Sequence, residues 1–391
     1  MNGERMLSGL LDASPRAALE DLPRVVAEHA RQAGLQDALI YLVDLQQNVL
    51  WPLGAPAALD AARTEPTKID GTLPGKAFSD GDLVVATGDG EEEQRLWMPI
   101  VDQSERLGVL SVTVPRHDAA SEARLRELAT LVALLVVSRR RNSDPYTGLV
   151  RVREMNLAAE LQWMLMPPMT FANDKVVISG ALEPAYEVGG DAFDYTLVGT
   201  TAHLAIFDAM GHDTAAGLVA SITMGSYRNN RRRGTGLVET SQAIDADIRR
   251  QFDDRFATGV LARLDTGTGL LSWVNRGHPV PLILRQGRWV GSLDCLPTPP
   301  MGLGFEEEPL LCTAQLEPGD RLLFYTDGIV EARGPDGEPF GLERFADFVV
   351  RREADGLSAP ETLRRLVRAL LEYQNDELQD DATVLLTEWC G

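Results

Sequence analysis

The sequence has little cysteine and no long apolar run. Its 391 residues include 3 cysteines, Cys295, Cys312 and Cys390, and these are not in CxxC spacing. We therefore expect buried thiols and neither a disulfide framework nor a zinc site. No stretch approaches the roughly 18 to 20 apolar residues that span a bilayer, and the N-terminus lacks the basic start and apolar segment of a signal peptide. These absences predict a cytoplasmic protein with no membrane partner.

Positive charge is also scarce. Lys and Arg together number 37 against 58 Asp and Glu, which gives a formal net charge of −21. Because nucleic-acid surfaces are built from clustered Lys and Arg, we expect no nucleic-acid partner. The hydrophobic fraction of 44% is that of a globular protein, and the length predicts two or three domains.

The first part of the chain reads as an α+β domain with helices at both ends. Apolar periodicity predicts helices over 22–34 and 120–141, and between them β-rich runs at 38–43, 49–53, 82–85, 96–101 and 108–114. The second helix carries a heptad-like seam, which either pairs with another chain or docks on the sheet. The seam consists of Leu125, Leu128, Val132 and Leu135.

This order of elements, with the run Leu107–Val112 before the closing helix, resembles a GAF domain over residues 22–140, preceded by an extension over 1–21. The resemblance implies either small-molecule binding or cofactor-free dimerisation. No residue in this segment indicates which ligand would bind. We expect a homodimer formed through this domain and the helices that follow it.

A helical linker is predicted over 141–168. Pro145 ends the preceding helix, and a second helix runs over 152–166 until Pro167 and Pro168 end it. Its apolar stripe must be buried against a neighbour, so the helix is either a passive tether or an element that couples the two domains. The predicted stripe is Leu157, Leu161, Met164 and Leu165.

Aspartates recur at predicted strand ends in the remaining segment, 169–391. One Asp-Gly pair usually marks only a turn. Carboxylates from several separate segments, with no accompanying Cys and His ligand set, instead suit a hard divalent cation such as Mg²⁺ or Mn²⁺. The segments are Gly189-Gly190-Asp191-Ala192-Phe193-Asp194, Asp208-Ala209-Met210-Gly211-His212, Thr326-Asp327-Gly328 and Asp380-Asp381-Ala382-Thr383.

Together with Phe256-Ala257-Thr258 and Asn275-Arg276-Gly277-His278-Pro279, these motifs resemble the SpoIIE/RsbU branch of the PPM (PP2C-like) serine/threonine phosphatases over residues 150–389. The resemblance implies an αββα sandwich with two Mn²⁺ or Mg²⁺ ions at one end. It also implies a phosphorylated protein substrate, favouring an anti-sigma factor antagonist. Two such ions activate a water molecule for in-line attack on phosphorus.

The resemblance also implies roles for individual residues. Asp208 would bridge both ions and the Ala209 carbonyl would complete the coordination; Asp191 would hold one ion, and Asp327 with Asp380 the other. Asp381 is expected beside the ligands, and Asp194 is expected to orient water. His212 either protonates the leaving oxygen or holds its own loop.

Several residues near these motifs are expected to have other roles. We expect His278 to be structural. The arginines Arg228, Arg231, Arg232 and Arg233 are either a solvated helix end or a phosphoprotein contact. Asp213 and Arg276 stand where the family often has smaller residues, so access to the metals would differ from the family pattern.

Two other functions compete with the phosphatase interpretation. A diguanylate cyclase is disfavoured because Ala192 replaces an acidic residue of its motif, because the 45 residues from Asp144 to Gly189 are too few for that fold, and because it leaves Asp327 and Asp380 unexplained. A non-catalytic phosphoprotein-binding scaffold would be marked by loss of a metal aspartate, and none is lost.

Overall fold

The computed structural model describes residues 2–54, 65–87, 93–183, 186–187, 189–211, 213–296, 298–375, 378 and 380–391. The chain divides into two compact units, Met1–Glu154 (unit 1) and Met155–Gly391 (unit 2). The division falls inside the segment that the sequence predicts as a linker.

Unit 1 is a six-stranded antiparallel sheet with helices on both faces, in the strand order β3-β2-β1-β6-β5-β4. The strands lie where the β-rich runs predict them, except for the short β3. The helices α1, α3 and α5 were not predicted. Its elements are α1 (Asn2–Ala13), α2 (Leu22–Gln32), β1 (Gln36–Val43), β2 (Val49–Pro52), β3 (Thr67–Lys68), α3 (Leu73–Asp80), β4 (Val84–Thr87), β5 (Gln94–Asp102), β6 (Glu105–Val114), α4 (Ala119–Arg140) and α5 (Asp144–Val150).

The heptad-like seam of α4 docks on the sheet of its own chain. α4 begins at a capping box in which Asp118 accepts from the Ser121 backbone. Its seam residues are buried in one core with β1, β5, β6, α1 and α2. The seam is therefore not free to pair with a second chain, and a homodimer would need another surface.

The segment predicted as a linker contains two short helices, α5 and α6 (Leu157–Leu165), and residues 151–156 between them are not helical. The helix predicted over 152–166 therefore begins later than expected. The second helix, α6, belongs to unit 2 and packs on α7. The predicted apolar stripe is wrong: Leu157 and Met164 are 64% and 75% exposed, whereas Ala158, Ala159 and Gln162 are buried. Ala158 and Gly217 of α7 permit close packing, since a Cβ at Gly217 would lie 2.7 Å from that of Ala158.

Unit 2 contains two antiparallel sheets, in the orders β15-β12-β11-β10-β9 and β14-β13-β16-β17-β8-β7. Helical patterns in the sequence at 215–227 and 358–374 predict α7 and α11, whereas α8, α9 and α10 were not predicted. After α6 the elements are β7 (Thr170–Ala172), β8 (Val176–Glu183), β9 (Asp191–Val198), β10 (Thr201–Ala209), α7 (Thr214–Arg232), α8 (Leu237–Gln251), β11 (Ala257–Asp265), β12 (Leu270–Arg276), β13 (Leu282–Arg285), β14 (Arg288–Ser292), β15 (Cys312–Gln315), β16 (Arg321–Tyr325), α9 (Asp327–Val330), α10 (Leu342–Ala354), α11 (Ala359–Tyr373) and β17 (Ala382–Trp389).

The two sheets pack face to face and helices cover their outer faces. Phe193 and Ile206 of the five-stranded sheet share a core with Phe324 and Leu385 of the six-stranded sheet. α7 and α8 cover the five-stranded sheet, and α10 and α11 cover the six-stranded one. Unit 2 is thus an α-β-β-α sandwich, in which inward and outward side chains alternate along each strand.

The cysteines differ from the sequence prediction. Cys295 and Cys312 form a disulfide across the connection from β14 to β15, while Cys390 is an exposed free thiol. Their 17-residue separation gave no local spacing signal, because only the fold of that connection brings them together. In the described part of the chain, no helix is long and apolar enough to cross a membrane.

Candidate active site

Asp191 and Asp208 lie directly opposite each other on neighbouring strands. Asp191 begins β9 and Asp208 stands near the end of β10, and the antiparallel register pairs them. Opposing residues of such a pair project from the same face with Cβ atoms about 4.5 to 5.5 Å apart. Both side chains point between the two sheets, since Phe193 and Ile206, two residues away on each strand, lie in the inter-sheet core.

The other sheet contributes Asp327 and the Asp380-Asp381 pair to the same end of the sandwich. Asp327 follows β16, and Asp381 immediately precedes β17. Thr326 connects the sheets, because its hydroxyl donates to Asp191 Oδ2 at 2.6 Å and accepts from the Thr383 backbone at 2.9 Å.

Asp381 anchors the turn that carries Asp191. Its Oδ2 accepts hydrogen bonds from the backbone N–H groups of Gly189, Gly190 and Asp191 at 2.8, 2.7 and 3.3 Å. The sequence suggested a place beside the ligands but not this anchoring role, which depends on contacts across almost the whole domain.

Two glycines permit the close packing of these segments. A Cβ at Gly190 would lie 2.1 Å from the Ala209 carbonyl oxygen, and one at Gly328 would lie 1.9 Å from the Asp381 carbonyl oxygen. Both contacts are far shorter than any side chain tolerates. The glycines of these two motifs are thus required by backbone approach between strands.

The carboxylates repel one another. Burial, then Asp208 and Asp381, raise the pKa of Asp191 well above its ordinary value. Burial, then Asp327, Asp380 and Asp381, raise the pKa of Asp208 to about 7. The pKa of Asp327 is raised by burial and by Asp380. Among the described residues the neighbouring charges that shift these three pKa values are all carboxylates, so the cluster lacks a compensating positive charge.

Comparison with known proteins identifies the family of this domain. Residues 199–389 match the family model described as Stage II sporulation protein E (SpoIIE). This part of the chain is a PP2C-type domain of the SpoIIE family. The aspartates 208, 327, 380 and 381 lie inside the matched range, whereas Asp191 precedes it.

Individual relatives of the SpoIIE-family domain are distant in sequence. Phosphoserine phosphatase RsbP of Bacillus subtilis (strain 168) is 24% identical over 186 residues, which are 46% of this chain and 45% of RsbP. Phosphoserine phosphatase RsbU of the same organism is 22% identical over 235 residues, covering 60% of this chain and 69% of RsbU. The chain spans less than half of the length of RsbP. The solved SiaA-PP2C domain of Pseudomonas aeruginosa is 19% identical with a TM-score of 0.49, covering 59% of this chain and 94% of that one.

Two expectations about residues around the SpoIIE-family site are corrected. Asp194 does not face the site: it forms ion pairs with Arg228, at 2.6 Å, and with Arg231 on α7. Because it lies three residues after Asp191 on one strand, it projects from the opposite face of the sheet. Arg228 and Arg231 are therefore structural rather than available to a phosphoprotein.

The remaining predicted site residues lie as follows. Asp380 is exposed at the rim and its Oδ1 accepts from the Asp381 backbone at 2.9 Å. The Ala209 carbonyl faces Gly190. His212 lies outside the described residues. His278 is buried in a hydrogen-bonded turn, and Arg276 is buried and donates to the Pro299 carbonyl.

The chemistry of the donor set fits hard divalent cations. Three or more His, Cys, Asp or Glu side chains do not converge on a single point anywhere in the described part of the chain. The carboxylates nevertheless supply only oxygen donors, which are the ligands that hard divalent cations take. A bound cation would also neutralise their negative charge. Asp191, Asp208, Asp327 and Asp380, with the Ala209 carbonyl, are the groups that such cations would draw together.

Proposed function

We propose that this chain is a metal-dependent protein serine/threonine phosphatase that hydrolyses phosphoserine or phosphothreonine on a protein. One observation carries the proposal: a SpoIIE-family domain gathers at one end of its sandwich buried carboxylates whose charge is uncompensated. Such a cluster is costly unless cations bind it. The names of RsbP and RsbU as phosphoserine phosphatases support the choice of reaction.

The assignment of residues is the one that the family resemblance implies. Asp208 and the Ala209 carbonyl, with Asp191, would hold one of two Mn²⁺ or Mg²⁺ ions, and Asp208 would share the second with Asp327 and Asp380. When bound, such ions supply an activated water and neutralise charge at phosphorus. Thr326 and Asp381 fix the position of Asp191, through the hydroxyl bond at 2.6 Å and the anchored turn. His212 is either the acid that protonates the leaving oxygen or a loop residue.

The substrate class and control are further parts of the proposal. An anti-sigma factor antagonist in its phosphorylated form is the favoured substrate, as the family resemblance implies. Unit 1 would be a GAF-like sensor that regulates the phosphatase, since its antiparallel sheet is covered by helices at both faces. Homodimerisation and a cytoplasmic location belong to the same proposal.

The test is manganese-dependent hydrolysis of p-nitrophenyl phosphate and of a phosphoserine protein by the full chain. Asp208→Asn removes one carboxylate from the cluster and should lower turnover at saturating manganese by more than tenfold, about 1.4 kcal/mol of transition-state stabilisation. Asp347→Asn is the matched control, because it makes the same change at a site that is 69% exposed on α10.

Two results would count against the phosphatase. Asp208→Asn retaining wild-type turnover would refute the metal assignment. Stable binding of a phosphoprotein without any hydrolysis by the wild-type chain would favour the scaffold instead.

A further inference from the structure

Two motif fragments of the sequence, Phe256-Ala257-Thr258 and Asn275-Arg276-Gly277-His278, meet through one hydrogen bond. Thr258 Oγ1 lies 2.8 Å from His278 Nδ1. Thr258 is on β11, where the antiparallel register sets it directly opposite Asp208. The ring of His278 thus contacts the residue that neighbours Asp208 across the sheet.

The backbone around His278 is fixed by the rest of its motif. The Asn275 side chain donates to the His278 carbonyl at 2.9 Å and accepts from the His278 N–H at 2.8 Å. Gly277 has a φ of +70°, and a Cβ there would lie 3.0 Å from Pro300. This short rigid turn begins the connection from β12 of one sheet to β13 of the other.

The ring of His278 is buried and its environment keeps it neutral. Its residue is 4% exposed, and burial lowers the pKa of the ring to about 3. The ring also lies close to the backbone of Tyr325, and its Nε2 has no hydrogen-bond partner among the described residues. Tyr325 ends β16, two residues before Asp327. The ring therefore spans the space between the strand beside Asp208 and the strand that leads to Asp327.

We propose that Thr258 and His278 form a positioning pair that sets the separation of the Asp208 and Asp327 carboxylates. The pair rests on the proposed function, since it matters only where those carboxylates hold ions together. It touches neither substrate nor metal. Its hydrogen bond ties β11, opposite Asp208, to the turn that leads from one sheet to the other, so its loss lets the carboxylates drift apart and weakens ion binding. Partners that orient metal ligands in this way are typically worth 10- to 100-fold in metal affinity.

The test compares three single variants of the full chain by calorimetric titration with Mn²⁺. Thr258→Val keeps the shape but removes the hydroxyl, and should weaken manganese binding about 10-fold. Thr258→Ser keeps the hydroxyl and should bind within about threefold of wild type. Thr266→Val is the matched control: it removes a buried hydroxyl that donates to the Thr200 carbonyl just beyond the other end of β11.

The positioning pair requires that Thr258→Val weaken manganese binding by more than its loss of stability explains. Both valine variants should lower the melting temperature, whereas only Thr258→Val should weaken manganese binding and raise the manganese concentration needed for half-maximal turnover. Turnover at saturating manganese should stay near that of wild type. If Thr258→Val fails to fold, Thr258→Ala makes the same comparison.

The outcomes distinguish this inference from the proposed function. Normal manganese binding by both the wild type and Thr258→Val overturns the positioning pair alone. Equal weakening in Thr258→Val and Thr266→Val also overturns it, because the effect would then be one of general stability. Absence of manganese binding by the wild type overturns the proposed function and the pair together.

Discussion

Removing metal should make the stability of unit 2 strongly dependent on pH. Burial and neighbouring carboxylates raise the pKa of Asp208 to about 7. An acid whose pKa is raised by folding favours the folded state only while it is protonated. Its contribution is therefore complete below the ordinary pKa of 3.8 and is lost as the pH rises through about 7. We expect the metal-free protein to be less stable at pH 8 than at pH 5.

The size of the effect follows from the displacement of this pKa. One pKa unit corresponds to about 1.4 kcal/mol, so a change from 3.8 to about 7 amounts to roughly 4 kcal/mol at full ionisation. Asp191 repels the same charge, and protons on interacting groups belong to the group as a whole, so the contributions do not add. A few kcal/mol is still a large part of the ~5 to 15 kcal/mol that stabilises a typical domain.

The assay is urea unfolding of wild type and Asp208→Asn in chelator from pH 5 to pH 8. Hydrogen exchange of peptides from β9 and β10 reports unit 2 separately from unit 1. His203, which is partly buried, and His278, which is buried, have pKa values lowered to about 4 and about 3. Both therefore destabilise the fold as the pH falls below 6.5. Both histidines are present in the wild type and in Asp208→Asn, so their contribution cancels in the difference between the two unfolding free energies.

Asp208→Asn should therefore be the more stable protein at pH 8 without metal, by a few kcal/mol, and should lose more than half of this advantage at pH 5. Manganese at pH 8 should reverse the order, since binding to the folded state stabilises it by mass action. A stability difference that stays constant from pH 5 to pH 8 would refute the idea of an uncompensated carboxylate cluster.

Two other predictions concern the stability of unit 2. Asp381→Ala leaves the buried N–H groups of Gly189 and Gly190 without an acceptor, so it should cost about 2 to 4 kcal/mol in urea unfolding; a cost below about 0.5 kcal/mol would contradict the anchoring role. Reduction of the Cys295–Cys312 disulfide should cost about 3 kcal/mol, because it closes a loop with a sequence separation of 17. Adding a phosphine reductant should lower the melting temperature of the wild type but not of Cys295→Ser, and equal behaviour of the two would refute this.

Much of the fold could be predicted because local sequence patterns determine it. The β-rich runs that become β5 and β6 and the periodic run that becomes α4 are long enough to be identified. The aspartate motifs were found for a related reason: each combines a carboxylate with glycine or threonine within a few residues. Short helices such as α5 and α9 carry too few residues to show a period.

The predictions that failed share a physical cause: a short stretch of sequence does not show which distant residues it will pack against. The apolar side chains of α6 suggested a buried stripe, but α7 presents Gly217 and so selects the alanine face. Parity alone could have excluded Asp194, because a residue three positions after Asp191 on one strand points to the other face. The disulfide and the Thr258–His278 contact depend on the order of strands in the sheets, which the sequence pattern does not specify.

The SpoIIE-family motifs act together because their residues that are not metal ligands join the segments to one another. Thr326 of the third aspartate motif bonds to Asp191 of the first, and Asp381 of the last holds the turn before Asp191. Gly190 allows that turn to approach the end of β10. Each such contact reduces the freedom of a carboxylate before any ion binds. Repulsion among the aspartates is thus offset by hydrogen bonds between segments, which keeps the cluster assembled for a cation to complete.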